Sequence, residues 1–378
     1  MSIDSVIIKV LYQLPNVYVD KDKFDFKYFE SLPGFRKSCR DKSPEEKRIH
    51  FPTISIMKDN HGQLEIAFEF SCGKFLNGNN IETLTKKDFL LLIDKLYKEL
   101  RIRGIDVPKE YLIDARPSRF DACMVIDLTN YASCTTVMQV LSKIAFPQNI
   151  KVKRKGFPQA EFDGHQFILT NKSQKKEWRL SIYDKISEIN SSEANKNETV
   201  LIDINGKMIE KTVPEALKLM NVKQLLRIEF QALTPKEIKK QLAKQGVDTN
   251  YINFETLFNQ DIASKMILNC WNQYIKPHLS SGLLQRMNEH NLKDKAKKQG
   301  IPAPEIMQMI CYKRACSMYQ NGINDIIKEF PDENLRGWIS KAEKTFNKIK
   351  DADKTSVART FTYIYKCIKE QVPFKFRV

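Results

Sequence analysis

Between Trp178 and Ile186 the chain places Leu180, Ile182 and Ile186 at even positions and Arg179, Ser181, Tyr183 and Lys185 at odd ones. Period-two alternation is the pattern of a strand with one buried and one polar face. A strand of that kind needs paired neighbours and a layer to cover its apolar side. The rest of the chain supplies both. In Gln63 to Phe70, Leu64, Ile66, Phe68 and Phe70 alternate with Gln63, Glu65, Ala67 and Glu69. Phe51 to Met57 is a second strand-like run, and Asp59-Asn60-His61-Gly62 between the two has hairpin-turn chemistry. Further strands are expected at the N-terminus (Met1 to Val10) and over 117–127, 161–170, 179–187 and 225–231. Thr85 to Ile102 reads as a helix with Thr85 as N-cap and Asp88 at the capping-box position, and Thr135 to Ile144 as a second. Gly73 to Asn80 is expected to be a loop carrying Lys74, and the polar Asn190 to Thr199 an exposed insert.

From Pro235 onward the texture changes to helices, expected at 235–245, 254–275, 304–318, 322–330, 332–349 and 356–370, with Lys293 to Lys298 as a linker-like charge run. The expected fold class is therefore α+β: an antiparallel sheet with helices on one face, followed by a basic all-α C-terminal part.

Charge narrows the partners. Sixty-two Lys and Arg against 46 Asp and Glu leave a formal +16 and an isoelectric point near 9.3. Residues from 231 on hold 25 Lys and Arg against 15 Asp and Glu, so most of the surplus lies in the helical half. A surplus of that size predicts a polyanion, because basic proteins release counterions when they bind nucleic acid. No apolar run approaches membrane-spanning length, mean hydropathy is -0.44, and the N-terminus reads as a strand rather than a secretory leader. A cytoplasmic protein with no membrane partner is expected. The eight cysteines form no CxxC, and Cys311 and Cys316 lack histidines at zinc-finger spacing, so reduced thiols are expected. His50, His61, His165, His278 and His290 are isolated, and neither a Walker loop, a GxGxxG nor a nucleophile elbow is present.

The chemistry-bearing residues lie on three strands. Arg119-Phe120-Asp121 and Arg227-Ile228-Glu229 share an Arg-apolar-acid pattern. On a strand this sends the arginine and the acid to one face and the apolar residue into the core. Tyr183 and Lys185 put a phenol beside an ammonium, a pairing that favours the phenolate, the form that attacks phosphorus. Asp121 and Glu229, joined by Glu188, would make an oxygen-rich site for Mg²⁺ or Mn²⁺, which polarises a phosphoryl oxygen. Arg119, Arg227, Arg179 and Lys74 are candidate DNA contacts. Each acid can equally be the structural partner of its neighbouring arginine.

Four blocks carry a resemblance: Ser71-Cys72-Gly73-Lys74-Phe75-Leu76-Asn77-Gly78-Asn79-Asn80, Ser118-Arg119-Phe120-Asp121-Ala122, the Tyr183 strand, and Leu226-Arg227-Ile228-Glu229. In order and spacing they resemble the filamentous-phage replication initiators, the gene-two proteins, over roughly residues 50 to 275. More distantly, Tyr183-Asp184-Lys185 with Glu188 is similar to staphylococcal-type plasmid initiators. The resemblance implies a metal-dependent endonuclease that starts rolling-circle DNA replication. Tyr183 would be the nucleophile, forming a covalent 5′-phosphotyrosine, with Lys185 assisting and Asp121, Glu229 and Glu188 holding the cation. It implies residues 1–290 as the nicking and strand-transfer domain and 291–378 as a helical domain for DNA or a protein partner. The replication origin, single-stranded at the nick, would be the substrate, with a host helicase and polymerase as further partners. Two alternatives are a non-enzymatic single-strand binder, in which Tyr183, Trp178 and Phe167 stack bases, and a transposase or relaxase using the same tyrosine chemistry.

Overall fold

A computed structural model describes residues 2–20, 23, 34–37, 42–59, 61–81, 84, 86–144, 146–155, 166–171, 177–191, 196–204, 207–258, 260–318, 333–348, 356–372 and 374–376. Its strands are β1 (Ser2–Leu11), β2 (Tyr18–Val19), β3 (Gly34–Lys37), β4 (Thr53–Lys58), β5 (Leu64–Ser71), β6 (Ile105–Asp106), β7 (Arg116–Asp127), β8 (Ile150–Lys155), β9 (Gln166–Asn171), β10 (Trp178–Asp184), β11 (Thr199–Ile204), β12 (Lys207–Thr212) and β13 (Leu225–Ala232). Nine of them form one antiparallel sheet in the order β3-β4-β5-β1-β7-β13-β10-β9-β8. Thus β1, β7, β13 and β10, which lie far apart in sequence, run side by side at its centre.

Alternation decides the two faces. Val6, Ile8 and Val10 of β1, Phe120, Met124 and Ile126 of β7, Ile228 and Phe230 of β13, and Leu180 and Ile182 of β10 are buried on one side. They meet helix Asp88–Ile102 through Phe89, Leu92, Ile93, Leu96 and Leu100 and helix Gln260–Cys270 through Ala263, Met266 and Ile267. Each such Ile or Phe contributes about 1.5–3 kcal/mol by leaving water. The opposite face carries the charged side chains of the central strands and turns apolar near Val125 and Leu225. There the β11–β12 hairpin and helix Val213–Leu219 build a second, smaller core with Val200, Ile202 and Leu217. The expected architecture, a helix-covered antiparallel sheet followed by helices, is the one observed.

Some local expectations give way. Residues 72–77 of the expected loop are a helical turn that ends at Gly78, whose φ is +78°. The 254–275 helix is broken into Phe254–Leu257 and Gln260–Cys270, followed by a wider turn at Trp271–Ile275. The charge run Lys293 to Lys298 is the end of a helix, Ser281–Lys298, because lysine is a good helix former and its charge alone does not break one. Thr85, Asn60, His165 and the expected helix at 322–330 lie outside the described residues.

The chain closes on itself at its end. Helix Val357–Glu370 packs Val357, Phe361, Ile364, Cys367 and Ile368 into the main core. Its Thr360 hydroxyl accepts the Ala132 N–H at 3.0 Å, and Tyr363 stacks on Tyr131 with ring centres 4.0 Å apart. Position 290, the expected domain boundary, falls inside helix Ser281–Lys298. Among the described residues no helix is long and apolar enough to cross a membrane, and Cys72, Cys123, Cys134, Cys270, Cys311 and Cys367 are free thiols.

Candidate active site on the polar sheet face

Registry brings the chemistry-bearing side chains together. Tyr183 lies opposite Arg227, Ser181 opposite Glu229, and Gln231 opposite Asp121. Directly opposed residues of one face stand about 5 Å apart, and diagonal neighbours remain within reach of long side chains. The Tyr183 hydroxyl uses that diagonal and donates to Glu229 Oε1 at 2.6 Å. Arg227 Nε donates to the same oxygen at 2.6 Å.

Arg227 is fully buried and holds more than Glu229. Its Nη2 lies 2.7 Å from Asp4 Oδ1 of β1, and its Nη1 donates to the Asn80 carbonyl. The register of β1 against β7 shifts between Ile3 and Val6. That irregularity lets both apolar residues enter the core while Asp4 turns to the polar face. Asn80 is a hub. Its side-chain Nδ2 donates to Asp4 at 3.2 Å, and its Oδ1 accepts from Lys185 Nζ at 2.9 Å. The tight fold of the 72–80 block puts Asn80 there. A Cβ on Gly73 would stand 2.9 Å from the Asn79 carbonyl oxygen, so only glycine permits the close approach.

Arg119 forks onto Asp121, with Nε and Nη2 donating at 3.0 and 2.6 Å, and reaches Glu69 at 3.3 Å. Gln231 Nε2 donates to Asp121 Oδ2 at 3.1 Å. Both Arg-apolar-acid patterns therefore close as same-face ion pairs, Arg119 with Asp121 and Arg227 with Glu229.

Electrostatics follow from this packing. Burial pushes the Tyr183 phenol well above the usual value of 10, Glu229 and Asp4 add to it, and Arg227 opposes. Burial also raises Asp121, to about 7, with Asp4 and Glu229 adding and Arg119 opposing. Asp4 moves the other way: burial would raise it, but Arg227 and Lys185 outweigh that and hold it below the usual 3.8. Tyr183 is thus a neutral phenol at rest.

Lys185, expected to assist the Tyr183 phenolate, lies just past the end of its strand. The strand ends at Asp184, which caps helix Lys185–Asn190 by accepting from the Ile186 and Ser187 N–H groups. Period two stops at that cap, so strand alternation does not set the direction of Lys185. Its buried Nζ donates to Asn80 and, at 2.5 Å, to Glu188. Lys74 sits in the 72–77 helix and pairs with Glu198 at 2.5 Å. Arg179 is on the polar face of β10, opposite Gln231 and Thr170.

Asp121 and Glu229 offer the oxygen donors that Mg²⁺ and Mn²⁺ take, from adjacent strands of one face. Glu188, by contrast, is turned to Lys185. Among the described residues no group of three or more His, Cys, Asp and Glu side chains gathers so as to hold a metal ion. By donor type the Asp121–Glu229 pair suits a hard cation; the three-carboxylate set does not form.

Asp4, Asn80 and Gln231 belong to the site without having been singled out in the sequence. Asp4 stands between Ile3 and Ser5 in an apolar strand, and a lone acid in such a run was the one available signal.

Among solved structures, a rolling circle replication initiator protein from Geobacillus stearothermophilus is similar over 72% of this chain and 84% of its own, at 10% identity and a TM-score of 0.32. No curated protein matches. The profile of a phage family described as the N-terminal part of the replication-associated gene-two protein matches residues 25–249. That is more than half of the chain and the span that carries Asn80, Asp121, Tyr183 and Glu229. The chain is a member of this family of phage replication-associated gene-two proteins.

Proposed function

We propose that the chain initiates rolling-circle DNA replication by nicking and rejoining a single DNA strand through Tyr183. The observation that carries this reading is the 2.6 Å hydrogen bond from the Tyr183 hydroxyl to Glu229, with Arg227 fixing the same oxygen from behind. A neutral phenol is a poor nucleophile until its proton leaves, and Glu229 is positioned to take it. In the proposed step Tyr183 Oη bonds to phosphorus, the bond from phosphorus to the 3′ oxygen breaks, the phenol proton passes to Glu229, and the leaving oxygen takes a proton from water. The products are a 5′-phosphotyrosine and a free 3′-OH for a polymerase. The reverse attack, by a 3′-OH on the phosphotyrosine, reseals the strand without ATP.

Arg227 holds Glu229 in place through its Nε donor. Arg119, on the same face, is proposed to clamp phosphates, and Lys185 to hold Asn80 and so the Asp4–Arg227 pair. Mg²⁺ or Mn²⁺ is the proposed cofactor. Asp121 and Glu229 would hold it, and it would supply positive charge to the phosphoryl group. Residues after 290 carry 18 Lys and Arg against 10 Asp and Glu. That surplus supports a duplex-anchoring role for the C-terminal helices.

Incubating the protein with Mn²⁺ and a labelled single-stranded origin library tests the reading. Strands that stay attached through denaturation are sequenced. Attachment by the native chain and none by Tyr183→Phe is the expected result. Non-covalent binding alone, equal in both, would make the protein a single-strand binder.

A further inference from the structure

Buried side-chain polar atoms without a hydrogen-bond partner are rare in folded proteins, and each asks for an explanation. Among the described residues, Arg227 Nη2 and Glu198 Oε1 meet that description only by angle, since Asp4 and Lys74 stand within ion-pair distance of them. Of the others, Thr170 Oγ1, Arg179 Nε and Gln231 Oε1 form one row. Arg179 of β10 is directly opposite Thr170 of β9 on one side and Gln231 of β13 on the other. All three share the polar face with Tyr183.

The row has a defined polarity. Arg179 Nε can only donate, and the Thr170 hydroxyl can donate or accept. The Gln231 amide is fixed by its far end: its Nε2 donates to the Asp121 carboxylate at 3.1 Å, which leaves Oε1 to face the row as an acceptor. A phosphodiester offers acceptors alone and would leave Gln231 unmatched. The Watson–Crick edge of a nucleobase carries an acceptor beside an N–H donor and can satisfy both ends. That edge is free only in an unpaired strand.

We infer that Thr170, Arg179 and Gln231 form a base-reading subsite that takes the Watson–Crick edge of one unpaired nucleotide near the bond cut. This rests on the reading of the polar face as the place where single-stranded DNA is attacked. Arg179 precedes Tyr183 by four residues, about 13 Å along the strand, which sets the base read apart from the phosphate attacked. Arg179, the middle member, is partly exposed, whereas Thr170 and Gln231 are buried. The row then supplies sequence choice, and the Tyr183–Glu229 pair supplies the chemistry.

The test uses the full chain carrying Tyr183→Phe, so that no covalent capture contributes. A randomised single-stranded DNA library is bound, washed and sequenced. With the row intact, one base is enriched at one position, by roughly tenfold or more. Thr170→Val, which keeps shape and removes only the unmatched hydroxyl, should melt no lower than its parent yet lose most of that enrichment. Arg179→Lys, which keeps charge and removes the Nε donor, should do the same. No enrichment with the row intact, or enrichment unchanged in both variants, would overturn the inference. Enrichment that depends on the row in a protein that never forms a covalent adduct would uphold the subsite and remove the nicking chemistry instead.

Discussion

Arg227→Met replaces a guanidinium that is 0% exposed with an apolar chain of similar length. Arg227 stands 2.7 Å from Asp4 and 2.6 Å from Glu229, and it also donates to the Asn80 carbonyl. Asp4 and Glu229 are themselves only 8% and 7% exposed. Removing the shared cation strands two buried carboxylates. Breaking one buried ion pair costs about 3–5 kcal/mol, mostly because the survivor is left uncompensated. Two pairs that share one cation do not add, so a loss near the upper end, about 5 kcal/mol, is expected. That is a large part of the roughly 5–15 kcal/mol that holds a typical domain. Urea unfolding followed by circular dichroism measures it, with Arg227→Lys as the milder variant that keeps charge and loses the fork. The same account predicts recovery. A triple variant, Asp4→Asn, Arg227→Met and Glu229→Gln, leaves no unpaired charge and should regain most of the loss. A loss under about 1 kcal/mol for Arg227→Met, or no recovery in the triple variant, would refute the reasoning.

Glu229→Gln keeps a hydrogen-bond partner for Tyr183 but cannot take its proton, so strand cleavage should fall about 10²–10⁴-fold while DNA binding persists, measured by gel assay. Asp121 gives a pH signature: its folded value, raised from 3.8 to about 7, means that its contribution to stability is present below the unfolded value and lost as pH rises through the folded one. Unfolding free energy should therefore fall by about 3 kcal/mol between pH 4 and 7, and Asp121→Asn should flatten that slope in urea titrations. Asp4 acts with the opposite sign, because its depressed value gives stability that is lost as pH falls below about 3.8. A fragment ending at residue 290 cuts helix Ser281–Lys298 and takes Phe361, Ile364 and Ile368 out of the main core, so it should melt well below the full chain by calorimetry.

Much of the fold was legible because it rests on alternation. The apolar sides of β5, β7, β10 and β13 are written in the sequence, as is the shared face of each Arg-apolar-acid pair. Strand order was not. That β1 inserts between β5 and β7 depends on long-range pairing, with the β7 partners more than 100 residues away, and with it came the position of Asp4. The contacts of Lys185 are not legible from alternation because the strand stops one residue before it. Asp184 is a good N-cap, and its capping bonds end the period-two pattern that had placed Lys185 beside Tyr183. Asn80 escaped notice because its role is made by backbone geometry, the turn at Gly78 and the close approach at Gly73. The β11–β12 hairpin was hidden by its own polarity: Lys207 to Thr212 is largely exposed, so no apolar alternation marks it.

The central claim is that Tyr183 itself becomes bonded to DNA. The direct measurement is peptide mass spectrometry of the denatured adduct formed with Mn²⁺ and a captured single strand, after nuclease trimming. The account predicts a nucleotide mass on the phenolic oxygen of the peptide containing Trp178 to Asp184, placed on Tyr183 by fragmentation. The same mass on Tyr131 or Tyr251, or on a serine, would contradict it.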